Sequence, residues 1–157
     1  MQRVKQAICA GMLLLASGLV MASEKHQLLG AWSVDVSKLQ QPDPKPRSVT
    51  ITLSEAGEGR YKMAVDIVDA DGTKRHADGT FSPDGSATRT QGSLDVDVVA
   101  MSMPSSRILV MGAGMAGNPT SSRVFSLSDD GKHMIETIIR HQPDGTPYMR
   151  VNTWSPK

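Results

Sequence analysis

Polar and apolar residues alternate along much of this chain with a period of two. Trp32, Val34 and Val36 alternate with small polar residues, and residues 49–53 and 61–67 repeat the pattern with larger apolar side chains. Successive side chains of a β-strand point to opposite faces, so this period predicts strands with one buried face. The sequence after residue 22 shows no convincing helical period.

Turn signals separate these runs at regular intervals. Asp-Gly pairs occur at residues 71–72, 84–85, 130–131 and 144–145, and this pair tolerates the positive φ angles of tight hairpin turns. Further strands are predicted between and around these turns, at residues 74–81, 107–111, 122–127, 133–140 and 148–154. We therefore expect about eight to ten short antiparallel strands, arranged as an all-β barrel or sandwich.

Three stretches depart from the simple alternation. Gln40–Arg47 holds three prolines, so we expect an extended link over one end of the barrel. Ser93–Met103 is the longest apolar run after the leader and predicts a strand that is apolar on both faces, and Gly112–Pro119 predicts a flexible glycine-rich link. The run 134–139 is also apolar on both faces, which suggests that the link or a second subunit covers part of the outside.

Residues 1–22 have the three parts of a secretory signal peptide. Arg3 and Lys5 give a basic start, residues 7–20 form an apolar run, and small residues lead to a cleavage position after Ala22. The apolar run is shorter than the roughly 20 residues of a membrane-spanning helix. We therefore expect a cleaved leader and no membrane anchor after cleavage.

Composition limits what the remaining chain can be. Cys9 is the one cysteine and lies inside the leader, so no disulfide is expected. Residues 23–157 are enough for one hydrophobic core and too few for two, which predicts a single domain in the periplasm or outside the cell. Loss of the leader changes the formal net charge from +1 to −1, and the basic residues are scattered. A nucleic-acid partner is therefore not expected.

Motifs for cofactors and catalysis are present only in fragments. The G-A-G-M-A-G run at residues 112–117 has the spacing of a dinucleotide-binding loop, but Asn118 and Pro119 follow where a helix should begin. The D-A-D-G run at residues 69–72 lacks the further carboxylates of a calcium loop. No serine or histidine stands in a nucleophile motif. We expect no cofactor and no enzymatic activity.

Methionine is unusually common and offers one further chemistry. The chain has 10 methionines, and four of them lie close together in sequence: Met101, Met103, Met111 and Met115. Three histidines lie elsewhere in the chain: His76, His133 and His141. Thioether and imidazole groups suit copper(I), whereas methionine also fills irregular cores and adaptable pockets. Core or pocket lining is the favoured interpretation, with copper(I) as the alternative.

The order of the motifs along the chain is informative as a whole. G-A-W-S-V-D at residues 30–35 precedes a proline-rich link, V-T-I follows at 49–51, and Asp-Gly turns lie at 69–72, 128–132 and 144–145. Together they resemble the small secreted lipocalin-like β-barrel proteins of bacteria, over nearly all of residues 23–157. The resemblance implies an antiparallel up-and-down lipocalin-like β-barrel, a fold that in general encloses a small and often apolar molecule.

Two functions of different classes are compatible with such a barrel. The first is non-enzymatic binding of a small hydrophobic or amphipathic ligand, with Met63, Val65, Val96, Val98 and Ile138 as candidate lining residues. The alternative is a protein-interaction module, such as a periplasmic enzyme inhibitor or envelope scaffold, that acts through a loop. A barrel of eight strands is just wide enough for one ligand or for a filled core, so both a hollow and a filled barrel stay open.

Gly30, Trp32 and Arg150 are expected to act in structure and not in binding. Trp32 would cover one end of the core beneath an arginine of the last strand, such as Arg150. Gly30 would allow the backbone to approach closely.

Overall fold

The alternating residues form strands throughout the part of the chain that the computed structural model describes, residues 26–41, 43–92 and 94–157. The predicted signal peptide lies outside these residues, as does Cys9. A three-residue 3-10 helix, Val36–Lys38, follows the first strand. The strands are β1 Gly30–Val34, β2 Ser48–Gly57, β3 Arg60–Val68, β4 Lys74–Phe81, β5 Asp84–Arg89, β6 Gln91–Gly92, β7 Val98–Ser105, β8 Ile108–Met115, β9 Asn118–Leu127, β10 Met134–His141 and β11 Pro147–Pro156.

All of these strands belong to one antiparallel sheet that curves into a nearly closed barrel. Their order in the sheet is β5, β7, β8, β9, β10, β11, β1, β2, β3, β4, β6. The all-β, up-and-down barrel predicted from the sequence is confirmed. β1 lies between β2 and β11, with Trp32 opposite Pro156 and Val34 opposite Trp154. The first and last strands are therefore neighbours in the wall.

The described residues form 11 strands, against the eight to ten predicted, because residues 84–92 are divided between two neighbouring strands. β5 pairs with β7, whereas β6 pairs with β4 through Ala77 and Asp78. Between them, the Thr90 hydroxyl donates to the carbonyl of Val96 at 2.7 Å. Gly92 has φ +126°, and a Cβ placed there would lie 2.1 Å from the carbonyl oxygen of His76. The seam between β4 and β7 therefore requires glycine at this position.

The hairpin turns show why aspartate precedes glycine in this chain. The carboxylates of Asp71, Asp130 and Asp144 each accept the backbone N–H two residues further on, at 2.8, 3.0 and 2.9 Å. The glycines that follow them have φ angles of +94°, +70° and +86°. The side-chain acceptor and the glycine, which tolerates a positive φ, together fix each turn. The turns predicted at these places are present.

Hydrogen bonding also lowers the pKa of aspartates across the described chain. At Asp71 and Asp144 a backbone N–H is the main cause, and at Asp69 the guanidinium of Arg75 holds the pKa below its usual 3.8. Each of these bonds favours the ionised carboxylate, because a protonated carboxyl accepts them less well. The aspartates with a lowered pKa are Asp35, Asp69, Asp71, Asp78, Asp84, Asp130 and Asp144.

One end of the barrel, here called the closed end, is filled by large apolar side chains. Leu28, Phe81, Leu109 and Phe125 are almost fully buried, and Trp32 is 5% exposed. The indole N–H of Trp32 donates to the carbonyl of Leu28 at 2.8 Å. This bond satisfies the polar atom of a buried indole and ties the segment before β1 across the closed end.

Two details expected around Trp32 are wrong. A Cβ added at Gly30 would have no atom within 4 Å, so close backbone approach does not require glycine there, and its φ of +132° is what favours glycine. Arg150 does not cover Trp32; its guanidinium lies 5.4 Å from the ring centre of Tyr148 on the same strand. Trp32 and Arg150 cannot stack because β11 places Pro156, six residues beyond Arg150, opposite Trp32.

The glycine-rich stretch 112–119 is a hairpin and not a flexible link. Gly112 and Gly114 lie inside β8, opposite residues of β7 and β9. The turn itself is short, with positive φ at Ala116 and Gly117. Glycine composition suggested a loop, but neighbouring strands on both sides supply the hydrogen bonds that keep this backbone extended.

Candidate ligand-binding site

A cavity of about 470 Å³ occupies the barrel above the closed end. The proline-rich link passes over this part of the barrel, as predicted, and contributes Gln40, Pro44 and Pro46 to the cavity wall. The loop before β7 contributes Leu94 and Asp95. These two segments define the open end of the barrel. Among the described residues, no helix is long and apolar enough to span a membrane.

Four of the five predicted lining residues border this cavity. Met63 and Val65 project from β3, Ile138 projects from β10, and Val96 reaches it from the loop before β7. Met63 is 7% exposed, so it forms part of the deep wall. Together with Val34, Val49 and Ile51, the two β3 residues make the β1–β3 side of the cavity apolar.

Val98 is the exception, because the strand begins later than the sequence indicates. Residues 94–97 are not part of β7, so the alternation starts at Val98. Val99, Met101 and Met103 then face the core and are buried, which leaves Val98 on the opposite face. It borders a separate groove of about 390 Å³ on the outside of the barrel, beside Ala100 and Gly112.

The outside of the barrel also carries apolar residues near this groove. Val110, Met149 and Val151 are 40%, 67% and 50% exposed. Ile139 of β10, whose strand was expected to be apolar on both faces, borders the groove. Apolar side chains of β8, β10 and β11 therefore lie at the groove or close to it in the outer wall.

The opposite side of the cavity, formed by β9, β10 and β11, is polar. Glu136 is 1% exposed and each of its oxygens is engaged. Oε1 accepts from Arg123 Nη1 at 3.0 Å, and Oε2 accepts from Asn152 Nδ2 at 2.9 Å and from Trp154 Nε1 at 3.2 Å. A buried carboxylate is tolerated only with such partners. The network also fixes the position of Arg123, whose Nε donates to Ser121 Oγ at 3.3 Å.

Strand register places three arginines close together on this wall. Ile138 lies opposite Arg123 of β9 on one side and opposite Arg150 of β11 on the other. Arg140 lies two residues further along β10, opposite Tyr148. Arg123, Arg140 and Arg150 all line the cavity.

The three arginines differ in their partners. Arg123 forms an ion pair with Glu136. Arg150 contacts the ring of Tyr148, and Arg140 has no ion pair among residues 26–41, 43–92 and 94–157. Neither Arg140 nor Arg150 has a carboxylate partner in that part of the chain.

Acidic residues outnumber basic ones elsewhere around the cavity, where Asp69, Asp78 and Asp95 line it together with Arg75. At the open end, Arg75 donates through Nε and Nη2 to the two oxygens of Asp69, at 2.6 and 2.8 Å. Asp95 raises the pKa of Arg75 further, after the main effect of Asp69. The acidic side chains of this cluster therefore lie at the open end, whereas the unpaired positive charge lies on the β9–β11 wall.

The methionines and histidines of the copper hypothesis occupy different faces. Met101 and Met111 are opposite each other and buried, whereas His133 and His141 are exposed. His76 lies on the outer side of β4, with Nδ1 2.7 Å from Asp66 Oδ1. In the described ranges, no group of three or more His, Cys, Asp or Glu side chains is arranged to hold a metal ion.

The sequence does carry a signal for the polar wall. Arg123, Glu136 and Arg150 stand in phase with buried apolar residues such as Phe125, Met134 and Trp154. A charged residue at an inward position of a barrel strand must find a partner or face a cavity. The in-phase positions of these charges therefore predict that their side chains face the barrel interior.

Comparison with solved structures supports the fold, and no comparison gives a family. No protein-family model and no curated protein matches the chain. Among solved structures, the chain is similar to a mutant of the fluorescent protein UnaG, with a TM-score of 0.53 and 12% sequence identity. The alignment covers 83% of this chain and 96% of that chain. At this identity the similarity supports the fold alone, a lipocalin-like β-barrel.

Proposed function

We propose that this protein is a non-enzymatic binding protein that encloses a small hydrophobic or amphipathic molecule in its barrel. The observation that carries the proposal is the cavity of about 470 Å³, which is apolar on the β1–β3 side and open between the link and the loop before β7. Ligand sites typically have volumes of about 300–1,000 Å³ and mostly apolar walls. The barrel is filled only at its closed end.

Binding is favoured over catalysis by the state of the one buried carboxylate in the described cavity wall. Glu136 accepts hydrogen bonds from Arg123, Asn152 and Trp154. A general base needs an oxygen free to take a proton from the substrate. With each oxygen already engaged, Glu136 acts in structure and holds Arg123 in place.

The proposed location is the periplasm or the extracellular space. It is supported by the basic start, apolar run and small residues of positions 1–22. Fractionation of cells that express the full chain, followed by N-terminal sequencing, should find the protein outside the cytoplasm with Ser23 as its first residue. A cytoplasmic protein that retains Met1 would refute this part of the proposal.

Binding can be tested without knowing the ligand. The neutral apolar probe N-phenyl-1-naphthylamine should fluoresce on binding to the wild-type protein. Val65→Trp would fill the cavity from β3 and abolish the signal, whereas Val151→Trp, on the outer face of β11 and 50% exposed in the wild type, would preserve it. Equal binding by the two variants would show that the probe does not enter the barrel.

Native mass spectrometry of protein purified from the periplasm gives a second, independent test. A co-purifying small molecule, lost from Val65→Trp and kept in Val151→Trp, is the expected result. An empty barrel that retains a protein partner would instead favour the interaction-module alternative.

A further inference from the structure

We propose that the ligand is an amphiphile with an anionic head group, and that Arg150 and Arg140 hold this group while the apolar body lies against the β1–β3 side of the cavity. This inference rests on the proposed function and adds the chemical class of the ligand. It follows from the unequal distribution of charge inside the barrel.

The first step is the count of charges on the β9–β11 wall. Arg123, Arg140 and Arg150 face the cavity there with Glu136 as the acidic residue of the same wall. Glu136 is paired with Arg123 at 3.0 Å. Two positive charges are left over, and within the described residues neither has a carboxylate partner.

The second step is that these two guanidinium groups can reach one anion. Arg150 lies opposite Ile138, and Arg140 is two residues further along the same strand as Ile138. Such diagonal neighbours across an antiparallel pair are about 7–8 Å apart, within reach of long side chains. One carboxylate-sized group can therefore accept from both arginines.

The third step is that the surroundings favour an anion over water. Arg140 and Arg150 are only partly exposed, and Ile138 lies between them. Charges attract more strongly where an apolar wall reduces the local dielectric. The planar guanidinium group also matches a carboxylate with two parallel hydrogen bonds. The ring of Tyr148, 5.4 Å from Arg150 Cζ, helps to hold that guanidinium in place.

The same wall limits the ligand to one negatively charged end. Glu136 lies two residues from Ile138 towards the closed end, and because it is paired with Arg123 no unpaired positive charge is left there for a second anion. The deep and facing walls contain Ile51, Met63 and Phe125. The rest of the ligand must therefore be uncharged and largely apolar.

A matched series of single-chain amphiphiles tests the inference. Dodecanoate, dodecanol and dodecylamine, each below its critical micelle concentration, would compete with N-phenyl-1-naphthylamine for the barrel. For the wild-type protein we expect dodecanoate to bind about tenfold or more tightly than dodecanol, and dodecylamine to bind more weakly than dodecanol. Added salt should weaken dodecanoate binding and leave dodecanol binding unchanged.

Variants then assign the effect to the two arginines. Arg150→Gln should weaken dodecanoate binding by about tenfold while dodecanol binding changes less than about twofold, and Arg150→Lys should recover part of the loss. Arg140→Gln should also weaken dodecanoate binding more than dodecanol binding. Arg60→Gln is the matched control, because Arg60 is exposed, pairs with Glu58 and does not line the cavity. Circular dichroism establishes that each variant is folded, and Arg140→Gln carries the test if Arg150→Gln does not fold.

The outcomes separate this inference from the proposed function. If neither the probe nor any amphiphile binds, the proposed function is wrong. If the probe binds but dodecanoate and dodecanol bind equally, the barrel binds ligands and the anionic head group is refuted. An equal loss of acid and alcohol binding in Arg150→Gln would show that this arginine acts only in structure, which also overturns the inference.

Discussion

Glu136 offers the sharpest test of how the cavity wall is held together. Glu136→Ala removes an acceptor from three donors at once: Arg123, Asn152 and Trp154. Its carboxylate is 1% exposed and the Arg123 side chain is 22% exposed, so water can compensate Arg123 in part and Trp154 hardly at all. We expect a substantial loss of stability without a change of fold.

The magnitude follows from the groups that lose their partner. Breaking a buried ion pair from one side costs about 3–5 kcal/mol, and an unsatisfied buried donor costs about 1–3 kcal/mol. Because Arg123 borders the cavity, the lower part of the first range applies, and the total should be about 3–4 kcal/mol. Glu136→Gln keeps one acceptor for Asn152 and Trp154 but turns an N–H towards Arg123, so about half that loss is expected.

Urea denaturation followed by circular dichroism measures this effect. With a slope of about 2 kcal/mol per molar urea, the midpoint of Glu136→Ala should fall by about 1.5–2 M at an unchanged slope. Glu58→Ala is the control, since the Glu58–Arg60 pair is exposed and should be worth less than about 1 kcal/mol. If Glu136→Ala lost no more than Glu58→Ala, the network would contribute nothing to the wall and our account of Arg123 would be wrong.

Three further predictions concern the closed end, the seam and the response to acid. Trp32→Ala should lower the free energy of unfolding by about 3–5 kcal/mol, and a denaturant melt near wild type would show that Trp32 does not close the barrel. Gly92→Ala should destabilise the protein by more than about 2 kcal/mol, because its new Cβ would contact the His76 carbonyl and its φ is positive. Gly112→Ala, which has open space around it, should change stability by less than about 0.5 kcal/mol. Similar melting temperatures for the two variants would contradict this. The hydrogen-bonded aspartates have folded pKa values below the usual 3.8, so their contribution to stability is complete above that pH and disappears as the pH falls through the folded values. The free energy of unfolding, measured by urea titration from about pH 6 to about pH 2, should therefore decline below about pH 4. A flat profile there would refute the assignment.

The sequence predicted the strands well where turns bound them on both sides. Strand β4 has the predicted limits, Lys74–Phe81, because an Asp-Gly turn precedes it and Pro83 follows. The prediction failed at 112–119, where local composition resembles a loop and only pairing with β7 and β9 keeps the chain extended. Local patterns reveal turns, but they do not reveal which neighbours supply hydrogen bonds to a weak strand former.

The apolar half of the site was predictable, and the polar half was missed for a physical reason. Met63 and Val65 belong to the alternating run 61–67, so their inward direction could be derived from the period, whereas Ile138 lies in a run that is apolar on both faces. Arg140 and Arg150 occupy inward positions too, but long basic residues are usually exposed. Only the register of β10 and β11 shows that both arginines enter the same cavity. Val98 was assigned to the cavity because the irregular backbone at 94–97 cannot be recognised from apolar residues alone.

The pairing of β1 with β11 determines when this barrel can form. Trp32 and Pro156 are opposite each other in the wall although they lie near opposite ends of the folded sequence. Contacts of such long range close late and slow the folding of β proteins. A growing chain therefore cannot complete the wall, or bring Arg150 into the cavity, before its last strand has been synthesised. If the chain is exported as proposed, that delay would suit a polypeptide that crosses a membrane unfolded, and the proposed ligand site would be complete only after the C-terminal strand has paired.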